Sequence, residues 1–172
     1  MPTRHRSSYA ALTLLIALAP AAATAAGEEA APEPRIAAVL DDFHAAASAA
    51  DEERYFGHLA PGAVFLGTDA SERWTKEEFR AFAHPYFARG QGWTYRATSR
   101  HVTVAADGTT AWFDEALDNA SYGECRGSGA LQLHGGAWRI EQYNLTIPIP
   151  NELAKDFVAK IREHALRSSA EP

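Results

Sequence analysis

Between Trp93 and Ile149 the chain alternates strand-like segments with short polar turns, and no other feature constrains its fold as much. The segments are Trp93–Ala105, Thr109–Asp118, Cys125–His134 and Ala137–Ile147. Asp107-Gly108, a looser stretch from Asn119 to Glu124, and Gly135-Gly136 supply the turns, while Pro148 and Pro150 stop the last strand. Consecutive strands joined this tightly form an antiparallel meander. A sheet of four or five such strands cannot hide both faces unaided, so other elements must cover one of them.

Those elements lie on either side of the meander. From Arg35 to about Ala49, Ile36, Val39, Leu40, Phe43 and Ala47 recur at helical spacing and predict one buried stripe. Asp51 can cap a short second helix bearing Tyr55, Phe56 and Leu59, closed by Pro61-Gly62, and Ala63–Gly67 follows as a short strand. Thr75 and Glu78 have capping-box spacing, so a third helix should start there, with Phe79, Phe82, Ala83 and Tyr86 on its inner face. Pro85 within that pattern predicts a kink or an early stop. A final helix from Asn151 to about Leu166 carries Leu153, Phe157, Val158 and Ile161 on one face. Helices first and a meander afterwards define an α+β domain. Between Trp93/Tyr95 and Val102/Val104 the apolar parity shifts, which a bulge bending the sheet would explain.

The first 26 residues read as a secretory signal. Arg4, His5 and Arg6 precede an apolar run, Ala10–Leu18, too short to span a bilayer, and small residues continue to Ala26. Residues 27–34, rich in Ala, Glu and Pro, suit a disordered spacer before a domain over 35–150 and a C-terminal helix over 151–166. Removal of Arg4 and Arg6 would leave 22 acids against 14 Lys and Arg, a charge of −8. A chain so acidic, without a basic stripe, is expected to bind neither nucleic acid nor membrane. The expected location is the periplasm or the medium. Cys125, the sole cysteine, precludes an internal disulfide, and a small buried strand residue is its expected role. The seven histidines form no close ligand pair, so no metal is expected, and the absence of phosphate-cradling and dinucleotide motifs gives no reason to expect a cofactor.

Four segments carry a family resemblance: Gly67-Thr-Asp-Ala-Ser-Glu-Arg-Trp74, Ala111-Trp-Phe-Asp-Glu115, Cys125-Arg-Gly-Ser-Gly129 and Trp138-Arg-Ile-Glu-Gln-Tyr-Asn-Leu145. Together they make the chain from about Ile36 to Asn151 resemble the SnoaL-like branch of the nuclear transport factor 2-like superfamily. The resemblance implies a cone-shaped, cystatin-like barrel in which a strongly bent antiparallel sheet wraps around the N-terminal helices. It also implies a homodimer packed through the sheet. Relatives include isomerases, cyclases, hydrolases, dehydratases and non-catalytic domains, so the fold does not choose among activities.

Polar groups inside apolar strands mark the candidate site, because burying them unpaired costs a few kcal/mol each. Trp112 and Asp114 share one strand face, and Phe113 and Glu115 the other. An Asp114 facing the cone would be a carboxylate in an aromatic pocket, suited to acid or base work, with Glu115 as the alternative. Either acid would otherwise pair with Arg126 or Arg139 across strands. Arg126, sharing a face with Ser128, could fix a ligand or a reactive carboxylate, or else serve a solvated or dimer surface. Trp138, Ile140, Gln142 and Asn144 share a face suited to a cavity wall, apolar at depth and amide-bearing at the mouth; buried amides more commonly bond backbone. Trp74 is a candidate lid, and Tyr86 and Trp93 are candidate walls. Three functions follow: binding of a small, partly apolar molecule, acid–base catalysis on one, or mere dimerisation.

Overall fold

The computed structural model describes residues 31–168. The expected signal segment, and the spacer up to Ala30, lie outside them. Ten elements follow one another: α1 (Pro32–Ser48), α2 (Glu52–Gly57), β1 (Leu59–Leu66), β2 (Arg73–Thr75), α3 (Lys76–Phe87), β3 (Arg96–Val104), β4 (Thr110–Asn119), β5 (Gly123–His134), β6 (Ala137–Thr146) and α4 (Ala154–Ser168). The strands form one curved, unclosed sheet in the order β2-β1-β6-β5-β4-β3. The meander β3–β6 is antiparallel as expected, whereas β1 joins the edge of β6 in parallel.

α1 starts at Pro32, three residues before its expected start, with proline in the first turn where a missing N–H costs nothing. Its buried stripe is Ile36, Leu40, Phe43, Ala46 and Ala47, laid against β3 and β6. Asp51 caps α2 by accepting from the Arg54 amide. Pro61-Gly62 does not close that helix. It sits inside β1, at the irregular stretch where pairing with β6 lapses between Leu59 and Val64. At α3 the capping box is complete: Thr75 accepts from the Glu78 amide, and the Glu78 carboxylate accepts from the Thr75 amide at 2.8 Å. The helix runs two residues beyond Pro85, so proline near the last turn removes one hydrogen bond without ending it early.

Two bulges shape the sheet. One interrupts β3 between Ala97 and Ser99, close to the expected parity shift, although Trp93 and Tyr95 precede the strand. The other inserts Glu141 into β6: Leu131 pairs with Ile140, but Ala130 pairs with Gln142. Side chains before Glu141 and after it therefore keep opposite parity, with Trp138 and Ile140 buried on one side and Tyr143 and Leu145 on the other. The core fills the concave side, where α1, α2 and α3 stack aromatic rings onto the sheet. Phe65 stacks on Phe79 at 3.9 Å and Phe43 on Tyr55 at 4.3 Å. α4 lies outside this core and buries no residue, leaving Phe157, Val158 and Ile161 exposed, as is Leu153 in the turn before it.

Candidate functional site

The cone opens at one end of the sheet, where β1 and β6 terminate, β3 begins and β4 turns into β5. A cavity of ≈ 230 Å³ lies there, walled mainly by Phe65, Trp74, Phe79, Phe82, Trp93 and Leu145, with Tyr122 from the β4–β5 turn at its edge. Rings brace one another around it. Trp74 stacks on Phe79 and Phe82, at 5.4 and 4.9 Å, and Trp93 packs on Phe87 at 4.7 Å. A far smaller void of ≈ 20 Å³ adjoins it, sharing Phe65, Trp93, Tyr95 and Leu145 and reaching His44 and Tyr143. This void holds about one water-sized group.

Beneath it lies the one fully buried carboxylate among the described residues. Glu115 is 1% exposed and accepts from three donors. His44 Nε2 reaches Oε1 at 2.7 Å, the Tyr143 hydroxyl reaches Oε1 at 2.8 Å, and Arg100 Nε reaches Oε2 at 2.7 Å. Arg100 then donates to the Ala37 carbonyl and to Asp41, whose carboxylate stands in solvent. Its Nη2 is buried with no hydrogen-bond partner among the described residues. α1 thus supplies His44 and Asp41, β3 Arg100, β4 Glu115 and β6 Tyr143. Gly127 on β5 makes room for the cluster, since a Cβ there would come 2.2 Å from the Tyr143 oxygen and 2.8 Å from Glu115 Oε1.

Electrostatics fix the protonation of two of these groups. Burial pushes the Glu115 carboxyl up, but the hydrogen bonds from His44 and Arg100 and the Arg100 charge outweigh it and hold the group below the usual glutamate value. Burial and the adjoining Glu115 charge push the Tyr143 hydroxyl well above the usual tyrosine value, so it keeps its proton. Tyr95, at the wall, is pushed up to about 12 by burial. Tyr55, fully buried behind it with its ring against Trp93 at 5.8 Å, is raised by burial too.

Several expected site residues stand elsewhere. Alternation puts Phe113, Glu115 and Leu117 of β4 inside, so Trp112, 51% exposed, and Asp114 face outward instead of into the cone. Among the described residues the Asp114 carboxylate bonds His101 alone, at 3.4 Å, and pairs with neither Arg126 nor Arg139. Arg126 and Ser128 lie on the same outer face, because Cys125 and Gly127 take the inner one. Gln142 and Asn144 are also outside, since the Glu141 bulge reverses the parity they would have shared with Trp138 and Ile140. Trp138 faces inward but at the far end of β6, away from the cavity, with its indole nitrogen unpartnered among the described residues. Tyr86 is 42% exposed and packs on Phe82 behind the wall it was expected to form. Trp74, Trp93 and Glu115 do belong to the cavity or the cluster beneath it. His44, Arg100 and Tyr143 were missed. The available signal was a histidine beside Phe43 on the apolar stripe of α1; Tyr143, set between Gln142 and Asn144, carried none.

Among the described residues no group of three or more His, Cys, Asp or Glu side chains is arranged to hold a metal. No helix there is long and apolar enough to cross a membrane.

The SnoaL-like domain family matches residues 36–150. No curated protein matches the chain. Among solved structures, an NTF2-like protein of unknown function from Pseudomonas putida KT2440 superposes with a TM-score of 0.60 at 16% identity, over 72% of this chain and 92% of that one. A protein of unknown function with a cystatin-like fold from Nostoc punctiforme gives 0.57 at 14% identity, over 70% and 93%. A proposed dehydratase of the NTF2-like family from Streptomyces avermitilis gives 0.58 at 12%, over 68% and 96%. At such identities the likeness is one of fold.

Proposed function

The chain belongs to the SnoaL-like domain family, and on that footing we propose that it is an exported domain whose cone binds a small, partly apolar molecule. The observation that carries the reading is an aromatic cavity that narrows onto His44 and Tyr143, both anchored to one buried carboxylate. At ≈ 230 Å³ the cavity is smaller than the roughly 300–1,000 Å³ of drug-sized sites, so its occupant has about one or two rings. Leu145 touches both the cavity and the void below it. Leu145→Phe is therefore expected to weaken binding of an apolar aromatic probe at least about tenfold, or 1.4 kcal/mol, in calorimetric titration. Equal affinity in the two proteins would end the reading. Native mass spectrometry of protein recovered from cells is the companion measurement. A mass beginning at residue 26 or 27 is what export by a leader cleaved after Ala25 or Ala26 predicts.

A second, catalytic reading rests on the His44–Glu115 contact of 2.7 Å. A histidine oriented by an ionised carboxylate is equipped to move a proton, as in an isomerase or dehydratase. This moves the expected proton carrier from Asp114 to His44, with Glu115 as the residue that positions it.

For association we propose a homodimer through the outer sheet face, around the exposed Trp112. Trp112→Glu is expected to raise the dimer dissociation constant at least about tenfold in sedimentation equilibrium. A wild-type chain that sediments as a monomer would dismiss the dimer.

A further inference from the structure

The hydrogens around Glu115 determine what the bottom of the cavity can recognise. An ionised carboxylate only accepts, so each of its three partners must direct a hydrogen toward it. For His44 that hydrogen sits on Nε2, and in the neutral ring Nδ1 is then a bare acceptor. The hydrogen bond that His44 makes among the described residues runs through Nε2 alone. The Tyr143 hydroxyl likewise has its hydrogen committed to Glu115, leaving only oxygen lone pairs for anything else. Space imposes a second condition. The void that reaches His44 and Tyr143 measures ≈ 20 Å³, enough for one water-sized group, while the aromatic cavity above takes a flat apolar body.

Resting on the binding reading above, we propose that the ligand is a small aromatic or otherwise planar alcohol, whose hydroxyl enters the void and donates to His44 Nδ1. A methyl ether has no hydrogen to give and adds a carbon the void cannot hold. A carboxylate is larger than the void, offers only acceptors to acceptors, and brings a negative charge toward that of Glu115. Arg100 does not relieve this, because it lines neither the cavity nor the void, and its remaining Nη2 donor lies outside both. Tyr55 and Tyr95 line the same void, and a tyrosine hydroxyl suits the oxygen of such an alcohol as a donor.

Three probes of similar shape test the proposal on the full chain by calorimetry at pH 8: naphthol, its methyl ether, and naphthoate. Naphthol is expected to bind at least about tenfold more tightly than either of the others, since the ether and the acid bring no hydrogen for Nδ1 to accept. In His44→Leu the preference for naphthol over the ether is expected to fall to about twofold or less, with ether binding retained. Ether bound as tightly as naphthol, or naphthoate bound best, would overturn the hydroxyl assignment while leaving the apolar cavity standing. A preference that survives in His44→Leu would overturn the role of Nδ1. Binding of none of the three would remove the cavity reading and the hydroxyl assignment together.

Discussion

Glu115→Gln is expected to cost about 3–5 kcal/mol of folding stability at pH 7, the typical penalty for breaking a buried charged pair from one side. Arg100 would keep a buried positive charge with only the exposed Asp41 to offset it, and the His44 and Tyr143 donors would share a weaker neutral acceptor. The loss has a pH signature. Folding holds the Glu115 carboxyl below the ordinary value of 4.5, so its contribution is complete above that pH and fades as pH falls through the lower folded value. The wild-type protein should therefore lose stability on acidification below about pH 4.5 by more than the variant does. Urea titrations of both proteins at pH 7 and through the acid limb measure this. Parallel acid limbs would mean that folding does not hold the Glu115 carboxyl below its ordinary value.

The second large effect is expected at a position with no side chain. Gly127→Ala places a carbon where the Tyr143 oxygen and Glu115 Oε1 already stand, at 2.2 and 2.8 Å. Both atoms are buried and bonded to each other, so neither can step aside without breaking the contact. Overpacking typically costs about 1–3 kcal/mol, and displacement of this hydrogen bond adds to it. Tyr143→Phe removes the nearer atom. In that background Gly127→Ala should cost about 1 kcal/mol less than in the wild type, a coupling read from a double-mutant cycle of urea midpoints. Additive losses would show that the crowding lies elsewhere.

Much of the architecture was legible in the sequence because its signals are local. The capping box at Thr75 and Glu78, the turn at Asp107-Gly108 and the stripe Ile36, Leu40, Phe43 each act within a few residues, and each appears where expected. The parallel pairing of β1 with β6 was not legible, because it joins segments about 80 residues apart. The site fared worse for the same reason: its members come from α1, β3, β4 and β6. One part of it was nevertheless readable. On β4 the parity holding Glu115 also holds Ala111, Phe113 and Leu117, whereas the parity of Asp114 holds Asp118, so hydrophobic neighbours alone place Glu115 inside. Trp112 misled, as a large aromatic residue looks like a wall residue, although here it stands on the outer face.

The extra residue at Glu141 matters beyond this molecule. Across it, a shift of one position in a comparison with a relative exchanges Tyr143 with Gln142 or Asn144, an inner residue for an outer one. At 12–20% identity nothing in the letters alone corrects such a slip. Roles carried along the last strand from one protein to another can thus be transposed wholesale from cavity to exterior. The safe unit of transfer is the hydrogen-bonded pair, such as Gly129 with Tyr143, not the column of an alignment.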